Sequence, residues 1–518
     1  MDHYQEIKPV LNKLSKYNVF DSLDVISRYV RAVVNGADRS KIQGIKSSKY
    51  NFIEIFIADF LIEVVIMYCT EIRGELSLRR MNDRAKIYKP VYDLHEKVST
   101  FPKNEPLVWF MSYVFNQTNI MIPGNILVSF YRYYCLYNSD NIRTEIQRVF
   151  GFPMEYYFRA AFFLYGVFAH KDGIHRTEEY LLKAKFKKTE YSCAIEYLLG
   201  TLSLELADIR EKCKSYCSYE SERMFKYYND APHIRYPLIK CKDGYCCVVP
   251  SYIISALLDG LYYRFDSPKH ANISNELARN FEKYVGAILD YATRGSKISF
   301  LPEITYKVKK QENKKTSDWI IWDENGLCFL DCKMKRISVE GKRAVEIDDN
   351  TINGIINKQP FSDNNKKSTI DSLPEGLTKD LIDIGIGLGK IFVCYDDYQK
   401  GLIPDLVFDQ NKEFYACLVT LDESYINTPD YKKRIIQVAQ SYRGFKTKRS
   451  EVINPEQVIL LSVSQLEKSI ERLEDMGVCK CFSSAPILQL EGHKSMFEYL
   501  SAKCNDTIIK PLMDDTIQ

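Results

Sequence analysis

Residues 316–335 read TSDWIIWDENGLCFLDCKMK, and this stretch constrains the fold more than any other part of the chain. Asp318 opens an apolar run, Trp319-Ile320-Ile321-Trp322. Asp323-Glu324-Asn325-Gly326 carries turn residues, and Leu327-Cys328-Phe329-Leu330 is a second apolar run closed by Asp331-Cys332-Lys333. Two short apolar runs around the Asp323–Gly326 turn predict a β-hairpin. Side chains alternate along a strand, so Asp331 and Lys333 share one face and Cys332 points to the other, toward a core. An acid before one strand and an acid-x-lysine at the end of the other gather three charges at one end of an otherwise apolar hairpin. Burying such a group is costly unless it binds something. A divalent cation with a phosphate is the guest that suits it.

The rest of the composition sets bounds on that reading. A length of 518 residues predicts about two to four domains. With 46% hydrophobic and 27% charged residues the chain is ordinary globular material. The net charge of +3 means that any nucleic-acid surface has to be a local patch. The opening residues, MDHYQEIKPV, lack the apolar core of a secretory signal, and fifteen cysteines then read as reduced thiols in a cytoplasm. Cys213-x(3)-Cys217 and the group Cys241, Cys246 and Cys247 do not match the spacings of common structural zinc sites. The most apolar stretch, residues 52–68, contains Glu54, Asp59 and Glu63, which argues for a buried or amphipathic helix and no membrane partner. The 37 tyrosines, clustered as at Tyr131, Tyr133, Tyr134 and Tyr137, suit helix packing with hydroxyls at the rim.

Residues 1–225 show apolar positions at three- and four-residue spacing, separated by turn signals. They are expected to form an all-helical domain for sensing, targeting or oligomerisation. Residues 226–518 are expected to form the second domain, with a core at 273–470 preceded by a hairpin–helix segment at 236–265. In that segment Asp243-Gly244 marks the hairpin turn. Residues 273–295 form an amphipathic helix whose apolar stripe is Leu277, Phe281, Tyr284, Val285 and Ile288; Glu282 lies off that stripe, and Gly295 is a C-cap. Further strands are expected at 298–301, 304–308, 390–395, 414–420 and 458–462. Helices are expected at 350–359, 380–387, 431–441 and 463–476. Strands followed by alternating strands and helices predict a mixed α/β core.

The chemistry-bearing pieces therefore come in a fixed order: Phe281-Glu282-Lys283-Tyr284-Val285 on a helix, Ser317-Asp318 at the start of a strand, and Leu330-Asp331-Cys332-Lys333 at the end of the next. In this order they resemble the PD-(D/E)xK nuclease superfamily. The resemblance covers roughly residues 236–470, with the specific motif confined to 276–336. Ser317 stands where the family name has proline.

The resemblance implies an α/β restriction-endonuclease-like C-terminal domain with a mixed central sheet, behind an α-helical N-terminal domain. It implies a metal-dependent endonuclease that hydrolyses phosphodiester bonds, with DNA as substrate. Mg²⁺ or Mn²⁺ would be held by Asp318, Asp331 and the backbone carbonyl of Cys332, with Glu282 joining through water or at a second site. Lys333 would position the attacking water.

Basic residues flank the motif. Lys307, Lys309, Lys310, Lys314 and Lys315 precede it, and Lys335, Arg336, Lys342 and Arg343 follow. Lys335 and Arg336 are candidates for phosphate contact. So is a second cluster, Lys432-Lys433-Arg434 through Arg443, Lys446, Lys448 and Arg449, with Tyr442 and Phe445 interleaved. Gln359 is a further candidate to support the site. The run Gly385-Ile386-Gly387-Leu388-Gly389 is expected to precede a strand, which makes it a poor phosphate cradle. No P-loop, kinase or deaminase signature is present. A nuclease without its own motor, joined to a large helical region that could hold a protein partner or a second copy, resembles bacterial anti-phage or foreign-DNA defence proteins. The rival readings are a catalytically inactive nucleic-acid-binding or structural module, a resolvase- or transposase-type enzyme, and an RNA-cleaving nuclease.

Overall fold

The computed structural model describes residues 3–34, 58–72, 74–98, 126–170, 173–174, 176–178, 182, 185–218, 231–265, 271–309, 312–334, 347–357, 373, 376–404, 406–421, 428–449, 451–484 and 494–516. The chain divides into two compact units. One gathers the described residues up to 274 together with 503–516, and the other spans 275–502.

The first unit is mainly helical, as the spacing of its apolar residues predicts, but residues 1–225 are not all-helical: they contain the strand Ser203–Glu205. Helices Val19–Val34 and Ala58–Tyr68 turn apolar faces to one core, where Leu23, Ile26, Leu61, Ile62 and Val65 are buried. Helices Met154–Ala169 and Thr189–Leu202 carry a second aromatic-rich core. There Tyr137 and Phe158 pack at 6.3 Å and Phe186 stacks on Tyr191 at 4.5 Å.

The boundary at 225 is not observed. Strand β1 (Ser203–Glu205) pairs in parallel with β2 (Leu238–Cys241), and β2 pairs antiparallel with β3 (Gly244–Cys247). Ile239, Val248, Val249 and Tyr252 are buried in the same cluster as Leu11, Leu23, Ile62 and Ile87. The hairpin–helix segment thus completes the first unit, because only there does its apolar face find a core.

The second unit is built on a five-stranded mixed sheet of order β10-β9-β8-β7-β4. Its strands are β4 (Ser299–Pro302), β7 (Trp319–Trp322), β8 (Gly326–Lys333), β9 (Glu413–Thr420) and β10 (Val458–Ser462). The expected hairpin is β7–β8, antiparallel, with Trp319 opposite Leu330 and Trp322 opposite Leu327. β8, β9 and β10 run parallel. A strand covered on both faces should read as a continuous apolar run, and all of β8 except Lys333 is buried. The strand expected at 304–308 joins no main sheet. It appears as β5 (Thr305–Lys309), which pairs with β6 (Glu312–Lys315) in a separate two-stranded ribbon.

The strand expected at 390–395 is also corrected. These residues lie inside one continuous helix, Leu377–Gln399, which absorbs the glycine run. Glycine within a helix costs about 1 kcal/mol relative to alanine, and packing explains its presence here. A Cβ on Gly385 would stand 2.6 Å from Val438 and one on Gly389 2.9 Å from Tyr442, both on helix Pro429–Thr447. Gly387, roughly half a turn around, meets the sheet instead, 3.1 Å from the Lys333 stem. The three glycines let the helix sit tightly between a neighbouring helix and β8. The helix expected at 463–476 is two, Val463–Ser469 and Arg472–Ser484.

Candidate active site

The register of β7–β8 brings Asp318 beside Asp331, and the two carboxylates cross. Asp318 Oδ2 accepts from the backbone N–H of Cys332 at 2.6 Å, and Asp331 Oδ1 accepts from the backbone N–H of Asp318 at 3.3 Å. Lys333 Nζ donates to Asp331 Oδ2 at 3.2 Å. The aliphatic stem of Lys333 lies against the bare backbone at Gly387. Cys332 is buried, as its place on the opposite strand face requires.

Glu282 sits on helix Ala271–Thr293. That helix is fixed to the sheet by Trp319, whose indole N–H donates to the Glu282 carbonyl at 3.2 Å. One turn further along, Gly286 leaves space for the indole; a Cβ there would fall 2.2 Å from the ring. The residue that follows Asp318 therefore also sets the height of Glu282. Glu303, just after β4, joins the acidic group. It is paired with Lys315 at 2.6 Å and raises the pKa of Glu282 by its charge.

The electrostatics follow from burying acids beside acids. Burial, then the charge of Asp331, lifts the Asp318 carboxyl to about 7, against the opposing pull of Lys333 and the Cys332 amide. Glu282 is raised by burial and by Glu303. For Lys333, burial acts to lower the pKa, but Asp331 and Asp318 outweigh it and hold the ammonium above its ordinary value. Lys333 is thus a fixed cation at neutral pH, suited to stabilising negative charge and unsuited to abstracting a proton.

Glu282, Asp318, Asp331 and Lys333 are brought into one electrostatic group. Among the described residues no three His, Cys, Asp or Glu side chains stand together as a ready-made cation cluster. The donor chemistry still suits a hard divalent ion. The oxygens are carboxylates, and the pair carries more negative charge than Lys333 balances.

Lys335, Arg336, Lys310, Lys342, Arg343 and Gln359 lie outside the described residues. Of the second basic cluster, Lys433 is exposed and Lys432 half-buried. Arg434 forks onto Asp349 at 2.8 and 3.0 Å. Arg443 forks onto the fully buried Asp396 at 3.0 and 2.7 Å, and Arg449 reaches the same carboxylate at 3.0 Å. These arginines brace the fold. No local pattern announces Glu303. Gly286 does leave a sign, being a glycine inside a strongly amphipathic helix.

Comparison with protein-family models, curated proteins and solved structures returns no match to this chain.

Proposed function

We propose that the second unit is a metal-dependent phosphodiesterase of the PD-(D/E)xK kind, an endonuclease with DNA as the expected substrate. The observation that carries this reading is the crossed Asp318–Asp331 pair with Lys333 alongside, at the open end of two adjacent strands. The mixed sheet, and the order of Glu helix, Asp strand and Asp-x-Lys strand, support a restriction-endonuclease-like fold.

Asp318 and Asp331 would hold Mg²⁺ or Mn²⁺, with the Cys332 carbonyl and Glu282 as further oxygen donors. When bound, such an ion acidifies water and polarises a phosphate. The chain's own contribution is positional and electrostatic. Lys333, held cationic, stabilises charge on the phosphate oxygens and orients the attacking water. Asp331 fixes the lysine through its Oδ2. The Trp319 lock keeps Glu282 at the mouth of the pair. Asp318, with a raised pKa, gives up its proton when a cation arrives, which couples ion binding to pH.

The test uses the purified full chain on supercoiled, linear and branched DNA and on RNA, with Mg²⁺, Mn²⁺ or EDTA. Cleavage that needs the divalent ion and disappears in Asp331→Ala and Lys333→Ala, with circular dichroism unchanged, is the expected result. Undiminished cleavage by Asp331→Ala would place the chemistry elsewhere. Binding without cleavage under every divalent ion would favour an inactive nucleic-acid-binding module. Cleavage of RNA alone would keep the site and change the substrate.

A further inference from the structure

The β2–β3 hairpin of the first unit carries a feature that hydrolysis does not use. Cys241, at the end of β2, and Cys246, on β3, are diagonal neighbours across the pair, and their sulfurs stand 3.6 Å apart. Cys246 is buried and Cys241 is half-buried, so one sulfur is reachable and the other is not. β3 is bridged on its free edge by Thr177, which exchanges hydrogen bonds with Tyr245 at 2.9 Å in each direction. That bridge needs Gly244, because a Cβ there would fall 2.2 Å from the Thr177 carbonyl oxygen. The close approach brings the charge of Arg176, anchored to Asp243 at 3.0 Å, to bear on the sulfurs.

We propose that Cys241 and Cys246 form a peroxide-reactive thiol pair, a redox-modification site in which Cys241 is the attacking sulfur and Cys246 the resolving one. The guanidinium decides between two uses of paired thiols. A metal ion would meet a fixed positive charge at this site, whereas a thiolate anion is stabilised by it. The hydrogen bond from Cys246 and the charge of Arg176 hold the Cys241 thiol down at about 7, while Cys246 is pushed up as the partner that keeps its proton. A contrast lies in the sheet of the second unit. Cys328 and Cys417 also neighbour each other, but both are fully buried, and Cys328 is pushed well up by that burial. Such thiols are inert.

The chemistry balances with a hydroperoxide as oxidant. The Cys241 thiolate attacks the peroxide, the O–O bond breaks, and the sulfur is oxidised by two electrons to a sulfenic acid while the leaving oxygen takes a proton from water. Cys246 then loses its proton to solvent, attacks the Cys241 sulfur and expels hydroxide. The net change is one peroxide and two thiols to one alcohol or water, one further water and one disulfide. A dithiol reductant reverses it.

The experiment treats the full chain with stoichiometric hydrogen peroxide, alkylates the remaining thiols and maps the peptides by mass spectrometry. Exposed Cys193 serves as the internal reference. The expected result is a Cys241–Cys246 disulfide formed before Cys193 is modified and removed by dithiothreitol. In Cys246→Ser a sulfenic acid should persist at Cys241 and be trapped by dimedone. In Arg176→Gln, an exposed substitution, the oxidation rate of Cys241 should fall about tenfold at pH 7. Oxidation of Cys241 no faster than that of Cys193 in the unaltered protein overturns the proposal. So does a sulfenic acid that accumulates there without the disulfide, or a rate that Arg176→Gln leaves unchanged. The first two readouts need no variant to fold.

Discussion

The two ends of the β7–β8 hairpin carry the same residue type in opposite conditions. At the turn, Asp323 is saturated: Oδ1 accepts from the backbone N–H groups of Asn325 and Gly326 at 2.9 and 2.7 Å, and Oδ2 from that of Val478 at 2.7 Å. Lys412 adds a hydrogen bond to its carbonyl. At the open end, Asp318 and Asp331 share two amide bonds and one from the Lys333 ammonium between two carboxylates, and burial with mutual repulsion lifts Asp318 to about 7. A carboxylate whose oxygens are met by amides shapes the chain. A buried pair short of positive charge is held in readiness for a ligand. The difference separates an aspartate that folds the hairpin from those that would use it.

The largest expected effect tests the open end. Asp331→Ala should reduce divalent-dependent cleavage by about a thousandfold or more, with the thermal transition preserved; a gel-based cleavage assay beside circular dichroism measures both. The turn end should behave in the reverse manner. Asp323→Ala should cost about 2–4 kcal/mol of stability, since three amide bonds to a charged acceptor are lost. Its remaining folded fraction should cleave at the normal rate, as denaturant titration and active-site-normalised kinetics would reveal. If Asp323→Ala abolished cleavage in fully folded protein, the contrast between the two ends would fail.

A smaller effect concerns pH. The folded-state pKa of Asp318 lies above its ordinary value, so the folded protein binds that proton more tightly than the unfolded chain. The resulting stability is fully present below the ordinary carboxylate range and declines as pH rises toward and through about 7. In EDTA the melting temperature should fall between pH 5 and 8, the fall should be shallower in Asp318→Asn, and Mg²⁺ should restore stability at pH 8 in the unaltered protein only. Identical pH profiles for the two proteins would remove the electrostatic half of the comparison. The smallest expected effect comes from Gly387→Ala, whose Cβ would press on the Lys333 stem at 3.1 Å. Because the contact is with the middle of a flexible side chain, cleavage should drop only severalfold, read as a lower kcat at unchanged fold.

The hairpin and its charged end were legible because both are local. Strand period, the four-residue turn Asp323–Gly326 and two-residue spacing are written within twenty consecutive positions, 316–335. What lay beyond local pattern depended on distant partners. The helix Leu377–Gln399 holds strand-like Ile391, Phe392 and Val393, and its glycines make sense only against Val438, Tyr442 and Lys333. Arg434 and Arg443 read as a basic surface until Asp349 and Asp396 are found opposite them. Glu303 enters the acidic group by the position of β4 and not by any motif. The unit boundary was misplaced because β1 and β2 pair across residues 206–237.

Residues 503–516 return to the first unit after the second is complete. Asp515 accepts from the Tyr191 hydroxyl at 3.1 Å and pairs with Lys188 at 2.7 Å, while Lys187 N–H donates to its carbonyl at 3.1 Å. Synthesis therefore imposes an order. The residues of the first unit wait on the order of ten to forty seconds at ordinary translation rates while 275–502 are made, and only then receive their closing piece. A chain cut short after residue 502 would hold every residue of the second unit and a first unit still without its closing segment.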